Sequence, residues 1–215
     1  RPLEYGGLRF APGGYGGAIL AGGRSRRMGG APKALLDLAG RTMLERALGR
    51  FAPQVGQVVL SVERPSPEWA RFGLAQVGDP VPGFHGPLAG LFAALEAVRG
   101  GADWLALAPC DAPFLPLDLV RRLAERRSTA DAVIVRLDGV LQPTFSLWNG
   151  RLAQPLRRAV LEMRMGGFRQ FLEGIDWAPL DWPSGDAAAF FNINDPDTLA
   201  AARRRITGHE GTRPC

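Results

Sequence analysis

Residues 18–36, AILAGGRSRRMGGAPKALL, close an apolar strand pattern and crowd Gly22, Gly23, Gly29 and Gly30 among Arg24, Arg26, Arg27 and Lys33. Glycines let backbone N–H groups close around phosphate oxygens, and basic side chains neutralise those oxygens. The chemistry this predicts is the cradling of a triphosphate. Lys33 is the single lysine of a chain with 26 Lys and Arg residues, so a demand for charge alone would have been met by arginine. An ammonium is a compact point charge on a slim stem and approaches a phosphate oxygen where a planar guanidinium needs more room. The stretch has neither the Gly-Lys-Ser/Thr of a P-loop nor the GxGxxG of a dinucleotide fold. A Gly-rich turn with solvated arginines is the alternative reading.

Three further motifs could act with it. In APCDAPFL, Asp111 follows the apolar run WLALA, where an acid at a strand's carboxyl end can hold Mg²⁺ against phosphates or merely open a turn. In VGDPVPGFHGPLAG, Asp79 ends a strand, while Gly86, Pro87 and Gly90 lead into a helix whose N-terminus could face a nucleotide; His85 reads as a loop hydrogen-bonding residue. In FFNINDPDTL, Asn192 and Asn194 alternate, so both side chains leave one face of an extended segment. Paired amides suit a heterocycle edge with donors and acceptors, and the competing reading is an Asx turn that caps the last helix, which explains Asn194 better than Asn192.

Other chemistries lack their residues. The two cysteines, Cys110 and Cys215, make no CxxC, and Cys110 reads as a buried reduced thiol. With only His85 and His209, a three-histidine zinc site is impossible and a Ser/His/Asp triad would have to use His85. The formal charge of +5 points to anionic partners, although pairs such as Arg121/Arg122 and Arg157/Arg158 read equally as solvated helix faces.

The elements that must position these residues alternate. GGAILAGG and GQVVLSV are strand patterns with the helical pattern TMLERALGRF between them. PSPEWARF reads as a short helix, GLAQVGD as a strand, GPLAGLFAALEAVRG as a helix, DWLALAPCD as a strand and LPLDLVRRLAERR as an amphipathic helix. ADAVIVRL and VLQPTFSLW flank an Asp-Gly turn, predicting a hairpin that adds an antiparallel strand. GRLAQPLRRAVLEM and GFRQFLEG read as helices, AAAFFNIN as extended, and DPDTLAAARRR as a helix with an Asp cap. The predicted fold is α/β: a doubly wound, mostly parallel sheet with helices on both faces and one antiparallel strand, binding ligands beyond the strands' carboxyl ends. Residues 17–206 form one domain, 1–16 are expected to be a flexible extension or an artificial boundary, with Tyr5 and Tyr15 ahead of the fold, and 207–215 a flexible tail. No apolar run approaches the ~20 residues that span a bilayer, and a soluble, cytoplasmic protein is expected.

With these motifs in order, residues 17–205 resemble the molybdenum cofactor guanylyltransferases, the MobA-like proteins: LAGG, then RRMGG and a lysine, then GPLAG, PCDAPF and FFNIN-P, at that family's spacing. The resemblance implies transfer of GMP from GTP to the phosphate of molybdenum-molybdopterin, with release of pyrophosphate. It implies that Leu20, Ala21, Gly22 and Gly23 line the nucleotide, that Lys33 contacts its phosphates, that Asp79 helps hold the guanosine, and that Asp111 binds Mg²⁺. Arg26 matches a basic position of the loop, and Asn192 and Asn194 match positions near the pterin substrate. Ser61 stands where many members have Asn, and its hydroxyl could give the nucleotide one hydrogen bond; Pro32 stands where some have Asp. The implied partners are GTP, molybdenum-molybdopterin, and other cofactor-biosynthesis proteins or molybdoenzyme chaperones, with neither nucleic acid nor membrane. Alternatives are a cytidylyltransferase of the molybdenum cofactor, whose first loop typically reads LAAG, a sugar-1-phosphate nucleotidyltransferase, and a basic nucleic-acid-binding domain. The last lacks the stacking aromatics of known single-strand platforms, and both tyrosines precede the expected fold.

Overall fold

The computed structural model describes residues 14–22, 32–80 and 86–210, without the side chains of the last two. Arg26 and Gly23, both expected at the nucleotide, and His85 lie outside the described residues.

The aliphatic runs become strands because both faces of each are covered, which is why they read as continuous rather than alternating apolar segments. β1 (Tyr15–Leu20) leads through a short 3₁₀ turn, Lys33–Leu35, to α1 (Met43–Phe51), β2 (Gln57–Val62), a second 3₁₀ segment, Pro67–Phe72, and β3 (Ala75–Gly78). α2 (Pro87–Val98), β4 (Trp104–Pro109) and α3 (Leu119–Arg126) follow, then the hairpin β5 (Ala132–Leu137) and β6 (Val140–Asn149). α4 (Ala153–Arg157) runs on as a π turn, Arg158–Glu162, before α5 (Phe168–Leu172), β7 (Trp177–Trp182), a 3₁₀ segment, Ser184–Phe190, and α6 (Pro196–Glu210). The seven strands lie in the order β3-β2-β1-β4-β6-β5-β7, and β6 alone is antiparallel to its neighbours. Asp138 and Gly139 both take positive φ, 49° and 79°, as the two-residue hairpin turn requires.

Every strand but the edge strand β3 divides its side chains between two cores. Ile19, Leu60, Ala106 and Ala108 pack with Leu44, Leu48 and Phe51 of α1 and with Leu119 and Leu123 of α3. Ala18, Val59, Leu105 and Leu107 pack with Leu88, Leu91 and Leu95 of α2 and with the helices around Leu156 and Phe171. A third, smaller core of Leu38, Met43, Ile193, Ala202 and Ile206 anchors α6. Among the described residues no helix is long and apolar enough to cross a membrane.

Four points differ from expectation. Ala187–Phe190 belong to a 3₁₀ segment, so AAAFFNIN is extended only beyond it. β7 was not foreseen, because Pro179 interrupts its pattern; the strand is an edge, paired only with β5, where a missing N–H breaks no ladder. Tyr15, expected ahead of the fold, is the first residue of β1, and its ring lies against the Arg127 guanidinium, 5.6 Å from centroid to carbon. In addition, α6 continues past residue 206 to Glu210.

α1 is started by a reciprocal cap. The Glu45 backbone N–H donates to Thr42 Oγ1 at 3.2 Å, and the Thr42 N–H donates to Glu45 Oε2 at 2.6 Å. Burial works to raise the Glu45 carboxyl pKa, but hydrogen bonds from the Thr42 backbone and hydroxyl, together with Arg71, hold it below its ordinary 4.5. Because the folded pKa is depressed, this cap stabilises above that value and is lost as pH falls through the lowered one. Thr42→Ala should therefore cost about 1 kcal/mol near neutral pH, or roughly 2–4 °C in Tm for a chain of this size. The Tm difference from wild type should shrink in acid below pH 4.5; an unchanged difference would show that the carboxylate form plays no part.

Candidate active site

Strand order places the expected residues. β1 is flanked by β2 and β4, whose connections leave it in different directions, and it is at such a reversal, beyond the strands' carboxyl ends, that the ligand crevice of a doubly wound sheet lies. The Ala21 N–H donates to the Ser61 carbonyl at 2.7 Å, and the Cys110 N–H donates to the Leu20 carbonyl at 3.1 Å, so the three strand ends are tied level. Gly22 leaves β1 beside β2, where a Cβ would come within 3.2 Å of the Glu63 backbone nitrogen. Asp79 follows β3 at the same edge. With strands roughly 4.8 Å apart, three spacings put about 14 Å between the ends of β3 and β4, which separates Asp79 from Asp111.

Ser61 is buried, 4% exposed, on the α2 side of the sheet. A Cβ at Gly90 would lie 2.7 Å from Ser61 Oγ and 3.0 Å from Leu20 Cδ2, so the glycine of GPLAG lets α2 settle directly onto these two residues.

The densest chemistry is at Asp111. Lys33 Nζ donates to Asp111 Oδ2 and to Asn194 Oδ1, both at 2.5 Å. One ammonium thereby joins three of the four sequence motifs, across separations of 78 and 161 residues. Lys33 is 9% exposed, held in its 3₁₀ turn where the Leu36 N–H donates to its carbonyl. The following loop is clamped by Arg46 of α1, whose guanidinium donates to the Leu38 carbonyl at 2.5 Å and to the Ala39 carbonyl at 2.6 Å. Nothing in the sequence pattern singled out Arg46, since one arginine on an amphipathic helix has no local signature.

Asn192 and Asn194 are brought in by backbone pairing. The Ile193 N–H donates to the Asp111 carbonyl at 3.0 Å, while the Ile193 side chain turns into the third core. Asp195, not Asn194, caps α6: its Oδ1 accepts from the Thr198 N–H at 2.8 Å, and Thr198 Oγ1 accepts from the Asn194 and Asp195 N–H groups, both at 3.1 Å. The capping alternative for Asn194 is thus overturned, because the neighbouring aspartate does that work and frees the amide for Lys33.

Two buried oxygens have no hydrogen-bond partner among the described residues, Asp111 Oδ1 and Asn192 Oδ1. An unsatisfied buried carboxylate oxygen at a strand end is a hard oxygen donor of the kind a divalent cation takes. Among the described residues no cluster of three or more His, Cys, Asp or Glu could hold a metal. The unpartnered Asp111 oxygen fits a divalent cation held by one or two carboxylates together with substrate phosphates rather than in an all-protein cage. The Cys110 thiol is enclosed, and burial, and then the Asp111 carboxylate, push its pKa well up, with Lys33 only partly opposing them, the reverse of what activates a nucleophile.

An acid and a lysine paired at the strand ends of a doubly wound sheet form a site suited to phosphate chemistry. A family model described as the MobA-like NTP transferase domain matches residues 17–178, and the chain belongs to that family. A molybdenum cofactor guanylyltransferase of Rhodopseudomonas palustris (strain BisB5) is 41% identical over 191 residues, 86% of this chain and 91% of that one. The crystal structure of molybdopterin-guanine dinucleotide biosynthesis protein A from Archaeoglobus fulgidus matches with a TM-score of 0.74 at 25% identity, covering 90% of this chain and 99% of that chain. The 2-C-methyl-D-erythritol 4-phosphate cytidylyltransferase of Thermus thermophilus, at 19% identity and a TM-score of 0.65, shares the fold over 88% of this chain and 98% of its own.

The enclosure of Lys33 gives a test of why this position alone is lysine. Lys33→Arg should lower kcat/KM for nucleotidyl transfer at least ~10-fold, about 1.4 kcal/mol of transition-state stabilisation, while Arg99→Lys, an exposed site, should leave it unchanged. Wild-type turnover in Lys33→Arg beside an inactive Lys33→Met would mean that charge alone suffices.

Proposed function

We propose that this protein transfers GMP from GTP to the phosphate of molybdenum-molybdopterin, forming the guanine dinucleotide form of that cofactor and releasing pyrophosphate. The observation that carries the reading is the junction of Lys33, Asp111 and Asn194, which joins the triphosphate loop, the acidic strand end and the paired-amide segment in one hydrogen-bonded group. The 41% identity to a molybdenum cofactor guanylyltransferase over nearly the whole of both chains supports the choice of substrates.

The attacking group is a phosphate monoester, already an anion, so the reaction needs no general base. A bond forms from an oxygen of that phosphate to the α-phosphorus of GTP, and the bond from the α-phosphorus to the bridging oxygen of pyrophosphate breaks. What the protein supplies is in-line placement and charge. Leu20, Ala21, Gly22 and Gly23 line the nucleotide, and Asp79, about three strand spacings from Asp111, takes the nucleoside end. Ser61, buried beneath α2, braces the nucleotide-lining turn by accepting the Ala21 N–H at its carbonyl. Lys33 and Arg26 bear on the phosphates. Asp111 Oδ1 would hold Mg²⁺, which when bound supplies charge neutralisation at the transferred phosphoryl group. Asn192, whose buried Oδ1 lacks a partner among the described residues, is the amide that accepts a donor from the pterin, and Asn194 links that acceptor site to Lys33. We place the reaction in the cytoplasm, with other cofactor-biosynthesis proteins or molybdoenzyme chaperones as its protein partners.

Nucleotide selectivity separates this reading from cytidylyl transfer. With Mg²⁺ present, GTP should raise Tm more than CTP, UTP or ATP, as stabilisation of roughly 2.7 kcal/mol at 100-fold saturation requires. Equal shifts for CTP and GTP would favour the cytidylyl alternative. Asp111→Asn should keep the fold and lose nearly all turnover, because an amide cannot replace the carboxylate's charge at a divalent ion; normal turnover would remove Asp111 from the metal site.

A further inference from the structure

The two oxygens of Asp111 are not equivalent. Oδ2 lies 2.5 Å from Lys33 Nζ, whereas Oδ1 is buried without a hydrogen-bond partner among the described residues. Lys33 is itself enclosed, its side chain 11% exposed and that of Asp111 19%, so water screens the pair weakly. The unit is a neutral pair. A divalent ion approaching Oδ1 would meet a carboxylate already compensated and, behind it, an ammonium that repels it through the same poorly screened space. Asn194 contributes an uncharged oxygen to the ammonium and so does nothing to offset that repulsion. Among the described residues no further cluster of acids is present to tip the balance.

We propose that Lys33 is a built-in counter-ion for Asp111 in the nucleotide-free protein, which makes uptake of the divalent metal conditional on the nucleotide. The inference rests on the reading above, in which Asp111 is the metal's ligand and Lys33 a phosphate ligand. A triphosphate brings negative charge enough to take the ammonium as its own partner, and Asp111 is then released to the cation. Lysine suits such an exchange because its three N–H donors let one acceptor be traded while Asn194 keeps another. Arginine would bind the carboxylate through a planar fork and give it up less readily. The coupling is reciprocal, so the metal raises nucleotide affinity by the factor with which the nucleotide raises that of the metal. The free protein consequently does not fill its site with metal ahead of substrate.

The test uses Mn²⁺ alone, followed through the loss of its free-ion electron paramagnetic resonance signal on titration with nucleotide-free protein. The proteins are the wild type, Lys33→Met, Lys33→Gln and the double variant Lys33→Met with Asp111→Asn, each checked by circular dichroism. Both single variants should bind Mn²⁺ at least ~10-fold more tightly than the wild type, within the usual range of coupling between sites, and the double variant should lose that gain. Equal affinity in the wild type and in whichever single variants fold would overturn the counter-ion role while leaving Asp111 as the metal ligand of the loaded enzyme. A gain that persists in the double variant would place the metal elsewhere and overturn the underlying assignment of Asp111.

Discussion

The contacts of one ammonium organise the crevice. Lys33 lies where three segments distant in sequence converge, and its two short hydrogen bonds, to Asp111 and Asn194, join the end of β4 to the segment that enters α6. Removing either partner would leave an enclosed cation short of an acceptor, which costs more than the net worth of an ordinary hydrogen bond. Much of the surrounding architecture holds this point in place. Arg46 clamps the loop beyond Lys33, the Ile193 N–H pairs with the Asp111 carbonyl, and Asp195 and Thr198 start α6 so that Asn194 is left to face Lys33.

The sheet provides the rigid frame. Its central strands are buried on both faces, and Ala18, Ile19, Leu105 and Leu107 are fully enclosed. The ends of β1, β2 and β4 therefore cannot shift without disturbing two cores, and side chains at those ends are set to the tolerance that in-line transfer demands. A position at the strands' carboxyl ends combines firm support below with open backbone above. Gly90 extends the same economy of space to α2, which settles onto Ser61 and Leu20 only because it carries no side chain there.

Much of this was legible in the sequence, for local reasons. The alternation of aliphatic runs with amphipathic helices gave the doubly wound sheet, and Asp138 with Gly139 announced the hairpin that turns β6 antiparallel. Lys33, Asp111 and the paired asparagines stood out by type and spacing. The failures were equally physical. β7 carries a proline that only an edge strand tolerates, and edge position is a property of the finished sheet rather than of the segment. The alanines at 187–189 favour a helical turn, but the aromatic and β-branched residues that follow them made the run read as extended. The Asp cap of the last helix was read correctly, but the partner that Asn194 takes instead, Lys33, was not visible in the segment. That contact crosses 161 residues, beyond the reach of any periodicity.

The central claim is that this junction of lysine, acid and amide serves transfer of a guanylyl group to an anionic acceptor. The most direct measurement is a transfer assay with molybdenum-molybdopterin and GTP carrying radiolabel at either the α- or the γ-phosphate, with α-labelled CTP in parallel. The account predicts that label from α-labelled GTP enters a dinucleotide product, that label from γ-labelled GTP leaves as pyrophosphate, and that CTP transfers little. Transfer from CTP equal to or greater than that from GTP, or passage of the γ-label to the acceptor, would contradict it.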